Sequence, residues 1–425
     1  MSQIERIRIA ITGGGLAGAT LLRALLPYSH LDVHIFEAAP EFKEAGASIG
    51  ISRNALAALE LIGPSAVQCV ERAGAFAQDA FVVKLAVGES QGHTVAEVGR
   101  NRGWYLKSAH RPALLRELLE GTPADCMHTS KKLDKFVQRP DGSLELHFLD
   151  GTTHDCDILI GADGVRSTVR KWVLGENNPA ANPQNSGWWV LWCVKSFEEA
   201  QAHGVGLEDT CQHAWIGDGT YSMHSIFSRG QMVSFAICAR DEDAGDRHSR
   251  PISAEEIRTL YRNYPPNLVK AIEEMFCDKP EQSAFYLWEH SVPASTYVSG
   301  PLCLIGDSAH ATTPWQASGG AMSLEDALIL SALLGKAKSV SDAIVALKVY
   351  DEVRRPRTQR IIESSRGTGF MMTGRGAETG LNAHLLKEKL SPRWDFIHNL
   401  DVEKHKDEAV EMLERALQVE HKTTS

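Results

Sequence analysis

Residues 8–26, RIAITGGGLAGATLLRALL, constrain this chain more than any other stretch. An apolar run stops at a cluster of glycines and resumes at once, with Leu16, Ala19, Leu22 and the pair Leu25/Leu26 at helical spacing. A strand that turns directly into a helix gathers unpaired backbone N–H groups and the positive end of a helix dipole at one point, where a pyrophosphate can sit. Gly13, Gly15 and Gly18 give the G-x-G-x-x-G spacing. The first permits the tight turn, the second lets the backbone approach a ligand, and the third lets helix and strand pack closely. LDVHIFEA then supplies a second strand, and Glu37 at its tip is placed to accept hydrogen bonds from a pair of ribose hydroxyls. The stretch is therefore expected to bind a dinucleotide.

Organisation and composition narrow the class. The dinucleotide unit is expected over 1–180 and 286–370, split in sequence by a second domain over 181–285. Short alternating runs in that insertion, such as CQHAWIGDGTYSMHSIF and GQMVSFAICA, suit antiparallel strands. Part of 75–105 is a candidate to join it, and 371–425 reads as a charged helical tail. A formal net charge of -10 with no basic stripe argues against nucleic acid. The 8 cysteines show no C-x-x-C and no Cys/His pairing at ligand spacing, so neither a metal site nor a disulfide framework is expected, and a reducing, cytoplasmic setting fits. No run of 18 apolar residues offers a membrane span, and the first strand starts too early to leave room for a signal peptide.

Three further places point at a nucleotide. In ILIGADGVRSTVR, Asp163 and Gly164 follow a buried strand and precede a helix, so the backbone turns sharply beside the first glycine loop. In PLCLIGDSAHATTPWQASGGAMSLEDALIL, Asp307 ends an apolar strand, where a carboxylate can take ribose or ribityl hydroxyls, and the Pro/Gly loop after it leads into another helix start. Arg111 in SAHRPALLREL is a cation at a helix start, where stability alone favours an acid; a pyrophosphate partner explains it.

Together GGGLAG, FEA, HRPALL, GADGVRSTVR and GDSAHATTP…EDA, in this order over residues 7 to about 366, resemble the FAD-dependent aromatic hydroxylases, the single-component flavoprotein monooxygenases. RWDFIHNLD near the C-terminus is similar to the salicylate-hydroxylase-like branch. The resemblance implies an α/β fold: a Rossmann-like FAD-binding domain split in sequence, an inserted antiparallel-sheet substrate domain and a helical C-terminal tail. It also implies FAD on Gly13, Gly15, Gly18, Glu37, Gly50, Arg111, Asp307 and the loop near Gly320, with Asp163 in a loop touching both flavin and nicotinamide. NADH or NADPH would be the transient electron donor. A small aromatic substrate and O₂ would meet at a flavin C4a-hydroperoxide, giving hydroxylation, with decarboxylation where the substrate resembles salicylate. Monomer and homodimer both stay open.

Two departures from the family pattern bear on the substrate. Leu191, in GWWVLWCVKSF, stands roughly where the salicylate-like branch carries a carboxylate-pairing arginine, and PWQASGG replaces the usual Pro-x-x-Gly-x-Gly, bringing Pro314 and Trp315 to the pocket. Tyr221 and His224 are the polar candidates for catalysis on the strand GTYSMHSIF. Period-2 alternation puts them on opposite faces unless a bulge intervenes, so Tyr221 is preferred. Trp188, Trp189, Trp192, Trp215 and Trp288 read mainly as core. Epoxidation or dearomatising hydroxylation of a secondary metabolite, a non-catalytic binding protein on the same fold, and a plain NAD-dependent dehydrogenase remain as alternatives.

Overall fold

Ile7, Ile9, Ala10 and Ile11 are almost wholly buried, as a strand covered on both faces requires, and Ile7–Thr12 lies inside a six-stranded sheet. The computed structural model describes residues 6–43, 46, 48–100, 106–207 and 209–423; residues 101–105 of the stretch 75–105, and the last two of the tail, lie outside them. Across the sheet the order is Val298–Ser299, Leu302–Leu304, Ile158–Gly161, Ile7–Thr12, Leu31–Phe36, Met127–His128. Every neighbouring pair is parallel except the one at the Val298–Ser299 edge. Ile7–Thr12 has its chain neighbour Leu31–Phe36 on one flank and the distant Ile158–Gly161 on the other. The winding reverses there, and such a reversal opens a crevice beyond the carboxyl ends of the strands. The helices Leu16–Leu25 and Gly319–Leu334 share one core with the sheet, through Leu21, Leu22, Ile329 and Leu333. The long helix Val340–Met372, with Pro356 inside it, packs on the same core.

The second large sheet has eight strands, ordered Ser249–Ser253, Glu281–Glu289, Gln184–Ser196, Met232–Arg240, Thr220–Phe227, Gln212–Ile216, Phe81–Leu85, Thr94–Val98. Two strands from the 75–105 stretch thus stand in one sheet with those of the insertion. Its neighbours pair antiparallel, apart from Gln212–Ile216 with Phe81–Leu85, which run parallel. Those two strands come from distant parts of the chain, so no hairpin dictates their direction. The helices Ala254–Tyr261 and Pro266–Phe276 cover the back face through Ile257, Tyr261, Leu268 and Phe276. The front face carries Trp188 and Tyr221, packed with Trp315, Met371 and Trp394.

Trp192 departs from the core placement expected of it: it is 43% exposed beside Phe285, at 47%, with ring centroids 5.4 Å apart. A smaller antiparallel sheet, Ser48–Ser52, Leu106–His110, Phe76–Gln78, stands beside the front face, and another, Thr153–Cys156, Leu144–Phe148, Leu133–Gln138, leads into the strand Ile158–Gly161. The tail is helical over Ala383–Leu390 and Val402–Thr423. Among the described residues, no helix is long and apolar enough to cross a membrane.

Candidate functional site

Four segments begin where a parallel strand ends: Gly13 after Thr12, Glu37 after Phe36, Ala162 and Asp163 after Gly161, and Ile305 to Asp307 after Leu304. Gly13 has φ 103° and donates its N–H to Phe36 O at 2.8 Å; a Cβ there would lie 2.2 Å from the Ala162 carbonyl oxygen. At Gly18 a Cβ would lie 2.1 Å from Gly13 O, so the helix can sit this close to the turn only with glycine. Gly15 is the N-cap of the helix Leu16–Leu25, with no side-chain cap and no acid in the first turn, so the positive end of its dipole faces the crevice without an acid of its own. The Glu37 carboxylate accepts the N–H groups of Gly14 and Ala39, both at 2.7 Å, which fixes it at the crevice.

The other two segments divide their work. The Asp163 carboxylate accepts Ser167 Oγ at 2.5 Å and Thr168 N at 2.8 Å, tying the loop to the start of the helix Thr168–Leu174; burial raises its pKa. That loop reaches the cavity through Ala162 and Gly164 rather than through the carboxylate. Asp307 is exposed and lines the cavity. Arg170, 1% exposed, braces the chain just after it by donating to Ser308 O at 2.9 Å and Ala309 O at 2.7 Å, and burial lowers its pKa to about 10.

Behind this loop lies a buried charged network that the motifs did not reveal. Asp326 accepts Gly306 N at 3.0 Å and Arg354 Nε at 2.8 Å and faces His310 Nε2 at 2.5 Å. Glu325 accepts Arg354 Nη1 at 2.7 Å, Arg357 Nε at 2.8 Å and Asn54 Nδ2 at 2.7 Å. Burial opposes ionisation of Glu325, yet Arg354 and Arg357 outweigh it and hold the carboxyl below its ordinary range. Two adjacent acids inside the apolar run SLEDALILSALLG were the available signal, since fully buried carboxylates need cations.

A cavity of about 440 Å³ joins these strand ends to the eight-stranded sheet. Gly15, Gly50, Arg111, Asp307, Gly319 and Gly320 line one end. The helix Gly319–Leu334 also starts without a side-chain cap or an acid in its first turn, and a Cβ on Gly320 would lie 2.7 Å from Ile49 Cδ1. Two uncapped helix starts and an arginine, with glycine where a side chain would collide, make an end that fits an extended, anionic cofactor. In the loop between, Ala317 adopts the left-handed conformation at φ 51°, a strain that an alanine carries and a glycine would not.

The sheet end is built from side chains. Tyr221, Met223 and Ser225 alternate along one strand and line the cavity, as Pro314 and Trp315 do from the opposite loop. Trp315, 7% exposed, meets Tyr221 edge-on at 5.3 Å and Trp188 at 5.5 Å, and a Cβ on Gly369 would lie 2.4 Å from its Nε1. Two candidates lie elsewhere. The Tyr221 strand runs in unbroken register with both neighbours, so His224 faces the back; it stacks on Phe235 at 6.0 Å and His213 at 5.2 Å, and burial lowers its pKa to about 3. Leu191 pairs with Ile237 and packs under the covering helices, so strand alternation corrects the pocket position expected for it.

The comparisons with known proteins agree with this geometry. The family described as "FAD binding domain" matches residues 6–365. A 6-methylsalicylate 1-monooxygenase of Aspergillus terreus is 31% identical over 424 residues, covering 97% of this chain and 93% of that protein. A salicylate hydroxylase of Pseudomonas putida is 31% identical over 415 residues, covering 93% of each. A solved salicylate hydroxylase substrate complex superposes with a TM-score of 0.83 at 24% identity, over 96% of this chain and 98% of that one, which shows a shared fold. With the strand-end crevice, the paired helix starts and full-length relatives all in accord, the chain belongs to the FAD-binding-domain family of flavoprotein monooxygenases.

Proposed function

We propose that the chain hydroxylates a phenolic ring with NADH or NADPH and O₂ as co-substrates. FAD would be held by Gly13, Gly15, Gly18, Glu37, Gly50, Arg111, Asp307 and Gly320, beside the Asp163 loop. The observation that carries this is the continuity of one cavity, about 440 Å³, from two uncapped helix starts to an aromatic sheet face. When bound, FAD supplies electron transfer from the nicotinamide and delivery of one oxygen atom of O₂ to the ring. The side chains position and shield. Tyr221, Pro314 and Trp315 line the cavity; Tyr221 would hydrogen-bond a ring oxygen, and Pro314 and Trp315 would keep water from the reacting centre. The names of the relatives, a methylsalicylate monooxygenase and a salicylate hydroxylase, support an aromatic substrate. All eight cysteines are free, which supports a reducing cytoplasm; a monomer or homodimer is the form proposed.

The test is a screen of phenols and benzoates for substrate-stimulated NAD(P)H oxidation with product mass determined. Stimulation together with one added oxygen supports the proposal. A colourless protein that cannot be reconstituted with FAD would point instead to a non-catalytic binding role. Epoxidation or dearomatising hydroxylation of a larger metabolite is a second reading, favoured by the exposed Trp192, which pairs across the sheet with the cavity residue Ala236. Loss of aromatic absorbance in the oxygenated product would select it.

A further inference from the structure

At the sheet end of the cavity four uncharged polar residues are gathered out of solvent: Gln78 at 0% exposure, Ser108 at 1%, Ser225 at 1% and Gln212 at 7%. They come from four strands of two different sheets, so no single strand reveals the group. Ser108, Gln212 and Ser225 line the cavity, and Gln78 stands behind them. Gln78 Nε2 stands 2.6 Å from Ile226 O, 2.7 Å from Ser225 Oγ and 3.2 Å from Ser108 Oγ, and its two hydrogens go to the nearer pair. The contact with a backbone carbonyl fixes the amide, because only a donor can face it; the orientation is kept although it leaves Gln78 Oε1 buried without a partner among the described residues. Gln212 Nε2 donates to the same Ser225 Oγ at 3.1 Å.

Ser225 Oγ therefore already accepts two amide hydrogens. Its own hydrogen has to go to Ser108 Oγ, 3.2 Å away, or into the cavity. If it goes to Ser108, the Ser108 hydrogen takes the same course. The chain of donors ends in either case on a hydroxyl hydrogen offered to whatever fills the cavity. Among the described lining residues the charged ones are Arg111 and Asp307, and both stand at the strand-end side. Among the described residues the pole thus offers neutral donors and no cation. A carboxylate pressed against it would lose its water without gaining a countercharge, whereas a phenol oxygen or ring carbonyl would gain a hydrogen bond and lose little.

We propose that Ser225 and Ser108, oriented by Gln78 and Gln212, form a donor pole that selects an uncharged aromatic substrate through an acceptor oxygen and disfavours a ring carboxylate at that position. This rests on the hydroxylase reading for its substrate and departs from the acid substrates in the relatives' names.

The experiment measures binding by calorimetry to the FAD-loaded protein, so it needs no turnover. Salicylamide against salicylate tests charge, and phenol against toluene tests the acceptor oxygen. Salicylamide is expected to bind at least about tenfold more tightly than salicylate, and phenol more tightly than toluene. In Ser225→Ala and in Ser108→Ala the phenol advantage over toluene should fall about tenfold, with FAD retention as in the parent, and Ser225→Thr, which keeps the hydroxyl, should restore it. Equal or tighter binding of salicylate overturns the proposal. So does an equal loss for phenol and toluene, or loss of FAD from the alanine variants, which would turn the cluster toward the flavin or the fold. Failure of every ring to stimulate NAD(P)H oxidation would sink the hydroxylase reading separately, leaving the binding comparison interpretable.

Discussion

The two ends of the cavity are made in different ways. At the strand ends the surface is largely backbone: a glycine at positive φ, another pressed against a carbonyl, two helix starts without side-chain caps. At the sheet end it is side chains set at every second residue of strands, with the Trp315 loop closing over them. Backbone surfaces tolerate few residue types, so they leave a mark in sequence. Side-chain surfaces can be rebuilt residue by residue without moving the strand, which is how one architecture admits many substrates.

The largest effect that would break this contrast lies behind the strand ends. Arg354→Met removes the buried cation that Glu325 and Asp326 share and should cost about 3–5 kcal/mol, read as earlier denaturant unfolding with loss of flavin. Unchanged unfolding would show that the crevice does not depend on that network. Asp307→Ala should weaken FAD binding by roughly 1.5–3 kcal/mol, a tenfold or greater loss in a flavin titration, and leave melting nearly unaltered because the side chain is exposed. Retention equal to the parent's would remove Asp307 from the cofactor end.

Trp315→Ala addresses the sheet end and should do the reverse. FAD stays bound, while the preference between small and bulky phenols shifts by about 1–3 kcal/mol and more NAD(P)H oxidation ends as hydrogen peroxide. An unaltered ranking would mean that the indole only packs the loop. The back of the same sheet offers a pH test. His224 has a folded-state pKa near 3, lowered by burial and by His213 from an ordinary 6.5, so the unfolded chain takes the proton first. Its contribution is intact above about 6.5 and is lost as pH falls from there toward 3. His224→Leu should flatten the decline of the unfolding midpoint between about pH 7 and pH 4, with substrate preference unchanged. A change in preference would put the imidazole back at the cavity. The smallest effect is expected from Ala317→Gly, which relieves a left-handed alanine and should raise stability by roughly 0.5–1 kcal/mol in a thermal melt; a fall would show that the loop gains more from the methyl group than it loses to strain.

The same contrast explains what could be read from the sequence. Gly13, Gly18, Glu37 and Asp307 were legible because each answers to a backbone turn at a strand end. His224 could be read only as opposite Tyr221, and the face of Leu191 could not be read at all, because a period of two assigns a residue to a side only once one neighbour is anchored, and the anchor comes from pairing with Phe235 and Ile237 on another strand. Glu325 and Arg354 lie on different helices, so their pairing is tertiary information. Gln78, Ser108, Gln212 and Ser225 belong to no motif, and only the meeting of two sheets makes them a group.

The strand Ile7–Thr12 stands between Leu31–Phe36 and Ile158–Gly161, with Leu302–Leu304 one place farther out. During synthesis the first of these leaves the ribosome while the last does not yet exist. Its sheet must wait half-built, with an unpaired apolar edge at Ile158–Gly161 while the 140 residues between Gly161 and Leu302 are made. Parallel pairing over such separations is slow, and an open edge invites other chains. The order of the strands thus makes protection of that edge a late event, completed only when Leu302–Leu304 has been made and has paired with Ile158–Gly161.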